Sequence, residues 1–244
     1  MTTQVFLEVI ENRRVSNGTY TMTMRGDVSS VTAPGQFINI KLDGFFLRRP
    51  ISISECIGDE LTIFYKVVGA GTEVMAEMPV GTVLDVLCGL GNGFDTAKSG
   101  ERPLLIGGGI GSAPMQQLAR ELIALGKKPT AVLGFATADD ICLEEEIKAL
   151  GADVVIATAD GTKGVKGFVT HAMEGLDYDF FYACGPMPML EAVEKVAKTD
   201  GQYSFEERMG CGFGACMGCS CETKYGSKRI CRDGPVLDRE EVKW

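Results

Sequence analysis

Pro103 to Pro114 read PLLIGGGIGSAP, and the chain changes its pattern at this stretch. Pro103-Leu104-Leu105-Ile106 is a short apolar run, Gly107-Gly108-Gly109-Ile110-Gly111-Ser112-Ala113-Pro114 is a glycine loop, and Met115 to Leu125 carries apolar residues at helical spacing. A strand passing into a helix through glycines opens a βαβ unit. The alternation continues downstream, with strands at Thr130–Phe135, Asp153–Thr158 and Asp179–Ala183 and helices at Ile141–Leu150, Gly167–Glu174 and Pro188–Lys198. This order predicts a parallel sheet.

Upstream the pattern is different. Val5–Glu11, Tyr20–Arg25, Gln36–Leu42, Pro50–Glu55, Leu61–Val67 and Val83–Leu87 are β-branched or aromatic runs. Asn17-Gly18, Pro34-Gly35, Asp43-Gly44 and Gly58-Asp59 punctuate them as turns. Six short strands at this spacing predict an antiparallel barrel or sandwich, with a brief helix at Gly71–Met78. From about Phe205 the chain reads as a Gly- and Cys-rich loop segment. The expected division is therefore 1–99, 100–203 and 204–244.

The 244 residues include 24 Lys and Arg against 33 Asp and Glu, a net charge of −9, with 45% apolar and 23% charged side chains. That is the composition of a globular protein with ample core. The acidic balance argues against nucleic acid as a partner, since phosphate contacts need clustered Lys and Arg, and it offers little to an anionic membrane surface. No apolar run approaches the ~18 residues of a membrane span. His171 is the single histidine, so His-rich metal sites and Ser-His-Asp devices are not indicated. It falls on a predicted helix and is expected to be structural or exposed. The opening MTTQVFLEVIENRR lacks the parts of a secretory signal, so a cytoplasmic location is expected.

Disulfides are rare in the cytosol, so 9 cysteines need another explanation. Cys56, Cys88, Cys142 and Cys184 are scattered, whereas Cys211, Cys216, Cys219, Cys221 and Cys231 crowd together. Cys211, Cys216, Cys219 and Cys231 have the spacing C-x4-C-x2-C-x11-C, the plant-ferredoxin-type signature of a [2Fe–2S] cluster. Gly212, Gly214 and Gly218 let the backbone curl and aim N–H groups at sulfur. The alternative is a structural zinc site, which usually presents two short-spaced pairs. Cys221 stands too close to Cys219 for both to ligate comfortably and reads as a bystander.

The glycine loop offers backbone N–H groups and a helix start to a pyrophosphate, although it does not fit GxGxxG. Cys184-Gly185-Pro186 follows another strand of the same predicted sheet, on the edge where open α/β sheets bind ligands. Its bland reading is a buried cysteine and a turn. In the first zone Arg48-Arg49-Pro50-Ile51-Ser52-Ile53 sets a guanidinium and a hydroxyl on an otherwise apolar strand. The Arg fork suits a pyrophosphate, while two surface arginines before a strand are the plainer alternative.

Taken in order, RPIS, GGGIGSAP, CGP and the cysteine segment resemble the ferredoxin–NADP reductase superfamily over essentially the whole chain. Within it the chain is similar to the electron-transfer subunits of type 1B (NAD-dependent) dihydroorotate dehydrogenases. The most specific part is Glu206-Glu207-Arg208-Met209-Gly210-Cys211-Gly212-Phe213-Gly214-Ala215-Cys216, closed by Cys231-Arg232-Asp233-Gly234-Pro235. The resemblance implies a six-stranded antiparallel FAD-binding barrel over 1–99, a parallel-sheet NAD-binding α/β domain over 100–203, and a small [2Fe–2S] segment over 204–244. It implies that Arg49, Pro50, Ile51, Ser52, Phe64, Tyr65, Lys66, Gly71 and Thr72 contact FAD. Many superfamily members have an aromatic where Ile51 stands. Gly107, Gly108, Gly109, Gly111, Cys184, Gly185 and Pro186 would receive the nicotinamide dinucleotide, with Cys184 near the nicotinamide as a candidate catalytic residue. Cys211, Cys216, Cys219 and Cys231 would ligate the cluster.

The resemblance further implies one FAD and one cluster per chain, NAD+/NADH as a diffusible acceptor, and an FMN-containing catalytic subunit as partner in a heterotetramer of two of each. Dihydroorotate oxidised on that partner would deliver electrons through the cluster and FAD to NAD+, in pyrimidine (UMP) biosynthesis. Thr137-Ala138-Asp139-Asp140, after the second strand of the sheet, has two acids and no Arg or Lys, which suggests NAD over NADP. Two other readings stand beside this one. One is the FAD/[2Fe–2S] small subunit of an NADH-dependent ferredoxin:NADP oxidoreductase or of a sulfide dehydrogenase. The other is a non-catalytic zinc-binding adaptor.

Overall fold

The computed structural model describes residues 2–244. Strands β1 (Thr3–Ser16), β2 (Thr19–Arg25), β3 (Phe37–Ile40), β4 (Arg49–Ile57), β5 (Glu60–Lys66) and β6 (Val83–Leu90) close into an antiparallel barrel in the order β1-β2-β5-β4-β3-β6. Alternation makes the barrel: Val5, Leu7 and Val9 of β1 are buried while the residues between them are exposed. Ile38, Ile40, Ile53, Ile63 and Val86 fill the same interior. The seven-residue helix α1 (Ala70–Ala76) connects β5 to β6.

Strands β7 (Pro103–Gly108), β8 (Thr130–Phe135), β9 (Asp153–Thr158), β10 (Val165–Lys166), β11 (Phe180–Cys184) and β12 (Gly201–Ser204) form a parallel sheet. Its apolar strands are nearly continuous because both faces are covered. Leu105, Leu133 and Tyr182 enter one core, and Ile106, Val132 and Phe181 the other. The helices are α2 (Ala113–Ala124), α3 (Glu144–Ala149), α4 (Val169–Ala172) and α5 (Met187–Val196). Helices α3 and α4 are shorter than their sequence patterns suggest. Leu143, with φ 67°, blocks extension of α3 toward Ile141.

The segment after Phe205 is more structured than a loop. It holds a hairpin of β13 (Ser220–Thr223) and β14 (Gly226–Arg229), a one-turn helix α6 (Ile230–Asp233), and β15 (Val236–Asp238). Strand β15 pairs antiparallel with β12 and completes a seven-stranded sheet, β10-β9-β8-β7-β11-β12-β15.

The barrel is seated on the sheet domain through β4 and α2. Ser54 Oγ, fully buried, lies 3.0 Å from the Ala113 carbonyl and 2.9 Å from Gln116 Oε1. Arg120 pairs with Glu55, and the Cys56 N–H donates to Gln117 Oε1 at 3.1 Å.

Candidate functional site

Strands β7 and β11 are hydrogen-bonded neighbours, with Cys184 opposite Gly107. From β7 the chain runs one way across the sheet and from β11 the other, so this pair is the topological switch point. The glycine loop and the Cys184-Gly185-Pro186 turn both leave its carboxyl end. Gly107 and Gly108 finish β7, while Gly109 and Gly111 lie in a tight 3-10 turn leading into α2. The loop packs directly on the turn. A Cβ at Gly111 would sit 2.5 Å from the Cys184 carbonyl oxygen.

Ser112, at the start of α2, is completely buried, and its hydroxyl has no hydrogen-bond partner among the described residues. That hydroxyl packs against Gly107, where a Cβ would meet it at 2.7 Å, so what the loop offers a phosphate-bearing ligand is its glycine backbone at the start of a helix. The cavity here measures about 590 Å³ and is shared by both halves of the chain. Thr19 and Lys66 come from the barrel, and Gly108, Gly109, Ile110, Phe135, Pro186 and Met189 from the sheet domain.

Lys66 thus faces the same cavity as the glycine loop, with its ammonium 3.7 Å from Asp140 Oδ1. Asp140 also accepts from the Thr137 N–H and hydroxyl, at 3.2 and 3.0 Å, so this carboxylate is spent on its own turn. Asp139 beside it is exposed.

Cys184 is buried, and its thiol is not among the groups lining the cavity. Burial pushes that thiol up to about 12, the Glu206 carboxylate adds to the effect, and the Ser204 hydroxyl opposes it. Glu206 therefore belongs to this edge of the sheet. It is open to solvent at its rim but crowded by protein, which raises its carboxyl above the ordinary glutamate value.

On the barrel the two arginines of the RPIS motif differ. The Arg48 guanidinium is held by Asp85, at 2.9 Å to both its carboxylate and its carbonyl. Arg49 instead lies over the Phe45 ring, 4.8 Å from its centroid, and against Gly71. A Cβ on Gly71 would fall on Arg49 Nε. Arg49, Pro50, Ile51 and Ser52 are all half-buried on β4. A charged fork and a hydroxyl, both half-buried beside a cradle open only to glycine, fit a flavin pyrophosphate.

Other candidates have local duties. Thr72 Oγ1 accepts the N–H groups of Val68 and Gly69 and donates to the Gly69 carbonyl, closing the turn before α1. The Tyr65 phenol donates to Asn12 Oδ1 at 2.9 Å, and Phe64 is buried against the sheet domain.

The four cysteines of the C-x4-C-x2-C-x11-C spacing come together as two pairs. The Cys211 sulfur accepts the N–H groups of Ala215 and Cys216 at 3.2 and 3.4 Å and also engages the Cys216 thiol. The Cys219 sulfur accepts the Cys231 N–H at 3.4 Å, and the two thiols are hydrogen-bonded. Burial alone would raise Cys211, but N–H groups of Cys216, Phe213 and Ala215 outweigh it and bring the thiol down to about 6. Burial, with the Cys219 and Cys211 sulfurs nearby, pushes Cys231 up to about 12. The Cys219 and Cys211 sulfurs thus oppose ionisation of Cys231, an arrangement suited to cations placed among them. Two thiol pairs match in number the four ligands that a two-iron cluster takes. Cys221 lies on β13 opposite Lys228, outside both pairs.

Glu206 and Asn39 of β3 have no role assigned from the sequence, and Ser112 enters there only as part of the glycine loop. Glu206 opens the EERMGCG run but carries no chemical signal of its own in the sequence. The other two are ordinary polar residues whose surroundings appear only in three dimensions.

Comparison with known proteins matches residues 206–243 to the iron–sulfur cluster binding domain of dihydroorotate dehydrogenase B and residues 105–195 to an oxidoreductase NAD-binding domain. A Bacillus pumilus protein named dihydroorotate dehydrogenase B (NAD(+)), electron transfer subunit, is 43% identical, covering 98% of each chain. One of the same name from Lysinibacillus sphaericus is 41% identical, covering 99% of each. Among solved structures, an NADH-dependent reduced ferredoxin-NADP oxidoreductase superposes with a TM-score of 0.89 at 28% identity, covering 98% of this chain and 90% of the other. A ferredoxin reductase of carbazole 1,9a-dioxygenase shares the fold, at a TM-score of 0.71 and 24% identity over 80% of this chain and 65% of that one. The chain belongs to the family of dihydroorotate dehydrogenase B electron-transfer subunits.

Proposed function

We propose that the chain passes electrons from an FMN-bearing, dihydroorotate-oxidising partner through a [2Fe–2S] cluster and FAD to NAD+, in pyrimidine (UMP) biosynthesis. One observation carries this reading: the RPIS strand lies between the other two sites. On one side of β4, its neighbour β3 packs against the cysteine segment, with Phe37 in one core with Cys219 and Cys231. At its other end Ser54 touches Ala113, the first residue of the helix that follows the glycine loop.

Bound FAD exchanges two electrons with a nicotinamide and single electrons with an iron–sulfur cluster, so it belongs between them. The protein's own residues bind and orient. Arg49 grips the flavin pyrophosphate, supported by Phe45 and given room by Gly71. Pro50, Ile51 and Ser52 line the flavin, with Phe64, Tyr65, Lys66 and Thr72 shaping the surrounding wall. The Gly107–Gly111 loop and the Cys184–Pro186 turn receive NAD+ at the switch point. Cys184, buried behind the cavity lining and protonated at neutral pH, supports the turn from beneath and exchanges no proton. Cys211, Cys216, Cys219 and Cys231 hold the cluster.

On this reading 1–99 serve the flavin, 100–203 the nicotinamide and 204–244 the cluster. The relatives' name, electron transfer subunit, supports a catalytic partner, here an FMN subunit in a heterotetramer of two of each. The chain is proposed to work in the cytoplasm; among the described residues no helix is long and apolar enough to cross a membrane.

The test is an anaerobic visible spectrum of the purified chain titrated with NADH, followed by mixing with the cognate catalytic subunit. Flavin and iron–sulfur bands that bleach with NADH, then dihydroorotate-dependent NADH formation in the mixture, are expected. Bleaching without dihydroorotate-dependent turnover would leave a ferredoxin:NADP reductase subunit as the better reading, which the 0.89 TM-score favours in second place.

A further inference from the structure

On β3, Ile38 and Ile40 point into the barrel core, so Phe37 and Asn39 point out of it. Asn39 is opposite Pro50 and Phe37 opposite Ser52. Directly opposed residues of an antiparallel pair share a face of the sheet. The outward face of β3 is therefore continuous with the face on which Pro50 and Ser52 stand.

Asn39 is the polar residue on that part of β3, and it is only 1% exposed. Its Nδ2 donates to the carbonyl of Cys211 at 3.3 Å. The cysteine loop closes tightly on this amide: a Cβ at Gly212 would lie 2.3 Å from Asn39 Nδ2. Gly212 has φ +78°, a conformation that favours glycine, so the loop is shaped to bring its backbone onto the amide. The other arm of the amide, Oδ1, is buried with no hydrogen-bond partner among the described residues. Turning the amide over would set oxygen against the Cys211 carbonyl, so the donor orientation is chemically required.

A buried acceptor without a partner costs free energy, and an apolar residue of the same volume would pack there without that cost. Its presence calls for a role that only the amide fills.

We propose that Asn39 is the positioning residue between the two redox sites: its amide clamps the Cys211 loop onto β3, the neighbour of the flavin strand, and tunes the cluster held there. The proposal rests on the electron-transfer reading above. A donor aimed at the loop carbonyl places the positive end of a dipole beside the ligand, which favours the more negative, reduced state of the cluster. Removing it lowers the cluster potential.

The experiment is an anaerobic redox titration of the full chain carrying FAD and cluster, following the cluster by EPR and the flavin by absorbance. Wild type is compared with Asn39→Leu, which keeps volume and removes the donor, and Asn39→Asp, which sets a carboxylate against the carbonyl. The cluster midpoint is expected to fall in both, by a few-fold in the reduction equilibrium for Leu and about tenfold for Asp, about 59 mV for one electron. The flavin midpoint stays in place. Loss of the cluster with FAD retained also supports the clamp. A cluster that loads normally in either variant and titrates at the wild-type midpoint overturns the proposal. Asn39→Ser, too small to overpack the barrel wall and too short to reach Cys211, is read by the same criterion if the larger variants do not fold. If wild type itself shows no iron–sulfur signal after reconstitution, the electron-transfer reading has failed, and not merely the role of Asn39.

Discussion

Arg49 and Gly71 occupy one another's space: the side-chain position that any other residue would fill at Gly71 is taken by the Arg49 guanidinium. Gly71→Ala must therefore displace Arg49 from its place over Phe45. Gly71 is in α1, where Ala is the better helix former, so stability should hold or rise. FAD affinity should fall about tenfold, or about 1.4 kcal/mol. A fluorescence titration of apoprotein with FAD, read beside a thermal melt, separates the two effects. Unchanged affinity would show that Arg49 does not grip the flavin.

The contact between Gly111 and the Cys184 carbonyl is backbone against backbone, with no flexible side chain to yield. Gly111→Ala should cost about 1–3 kcal/mol of stability, as overpacking does, and abolish reduction of the flavin by NADH. Gly109 has open space around it and φ +56°, so Gly109→Ala should cost only the left-handed strain of about 1–2 kcal/mol. Denaturant melts of the two variants should rank in that order.

Asp139 and Asp140 should separate by function. Asp140 is bound to Thr137 and Lys66, whereas the Asp139 side chain is exposed in the turn that follows β8. Asp139→Arg should shift the ratio of kcat/KM for NADH over NADPH by about tenfold toward NADPH, because Arg accommodates a 2′-phosphate. Asp140→Asn should loosen the turn and leave the ratio nearly unchanged. The opposite ranking would move the specificity determinant to Asp140.

Burial pushes the thiols of Cys88, Cys142 and Cys184 up to about 12. An unfolded thiol ionises near 8.5, so the unfolded chain loses these protons first as pH rises. The stability they contribute is complete below about pH 8.5 and is lost progressively toward pH 12, by about 1.4 kcal/mol per pH unit for each thiol. Cys88→Val removes one such group from the barrel interior and should flatten the alkaline slope by about that amount. Denaturant midpoints between pH 8 and 11 give both slopes; parallel slopes would refute the assignment.

Cys221→Ser should retain about two irons per chain and the wild-type EPR signal, whereas Cys216→Ser should lose both. Iron analysis of reconstituted protein decides. Loss of iron in the Cys221 variant would bring the fifth thiol into the ligand set.

The barrel strands and the βαβ alternation were legible because their physics is local: period-two burial on β1 and apolar runs on β7, β8 and β11 are written in consecutive residues. Strands β12 and β15 were not. Gly201–Ser204 and Val236–Asp238 are too short to show a period, and only their pairing across the sheet makes them strands. The candidate site divides in the same way. The cysteine spacing and the glycine loop announce themselves, but nothing in Arg48-Arg49 says which guanidinium Asp85 will claim. Asn39 is further beyond reach, since its partner is 172 residues along the chain. Thr72 shows the converse: a hydroxyl that looks available in the sequence is used up by its own turn.

Ser204, the last residue of β12, is paired directly with Val236, the first of β15, and the Phe205 N–H donates to the Pro235 carbonyl. Everything from 205 to 235, including all four cysteines of the spacing, is thus the tip of an elongated hairpin whose two feet touch. That excursion does not hang free: its interior is buried against Phe37 of the barrel, and the Cys211 carbonyl accepts from Asn39. The sheet anchors both ends of the cysteine segment while the barrel anchors its middle, so a shift of one domain against the other would be felt at the four thiols.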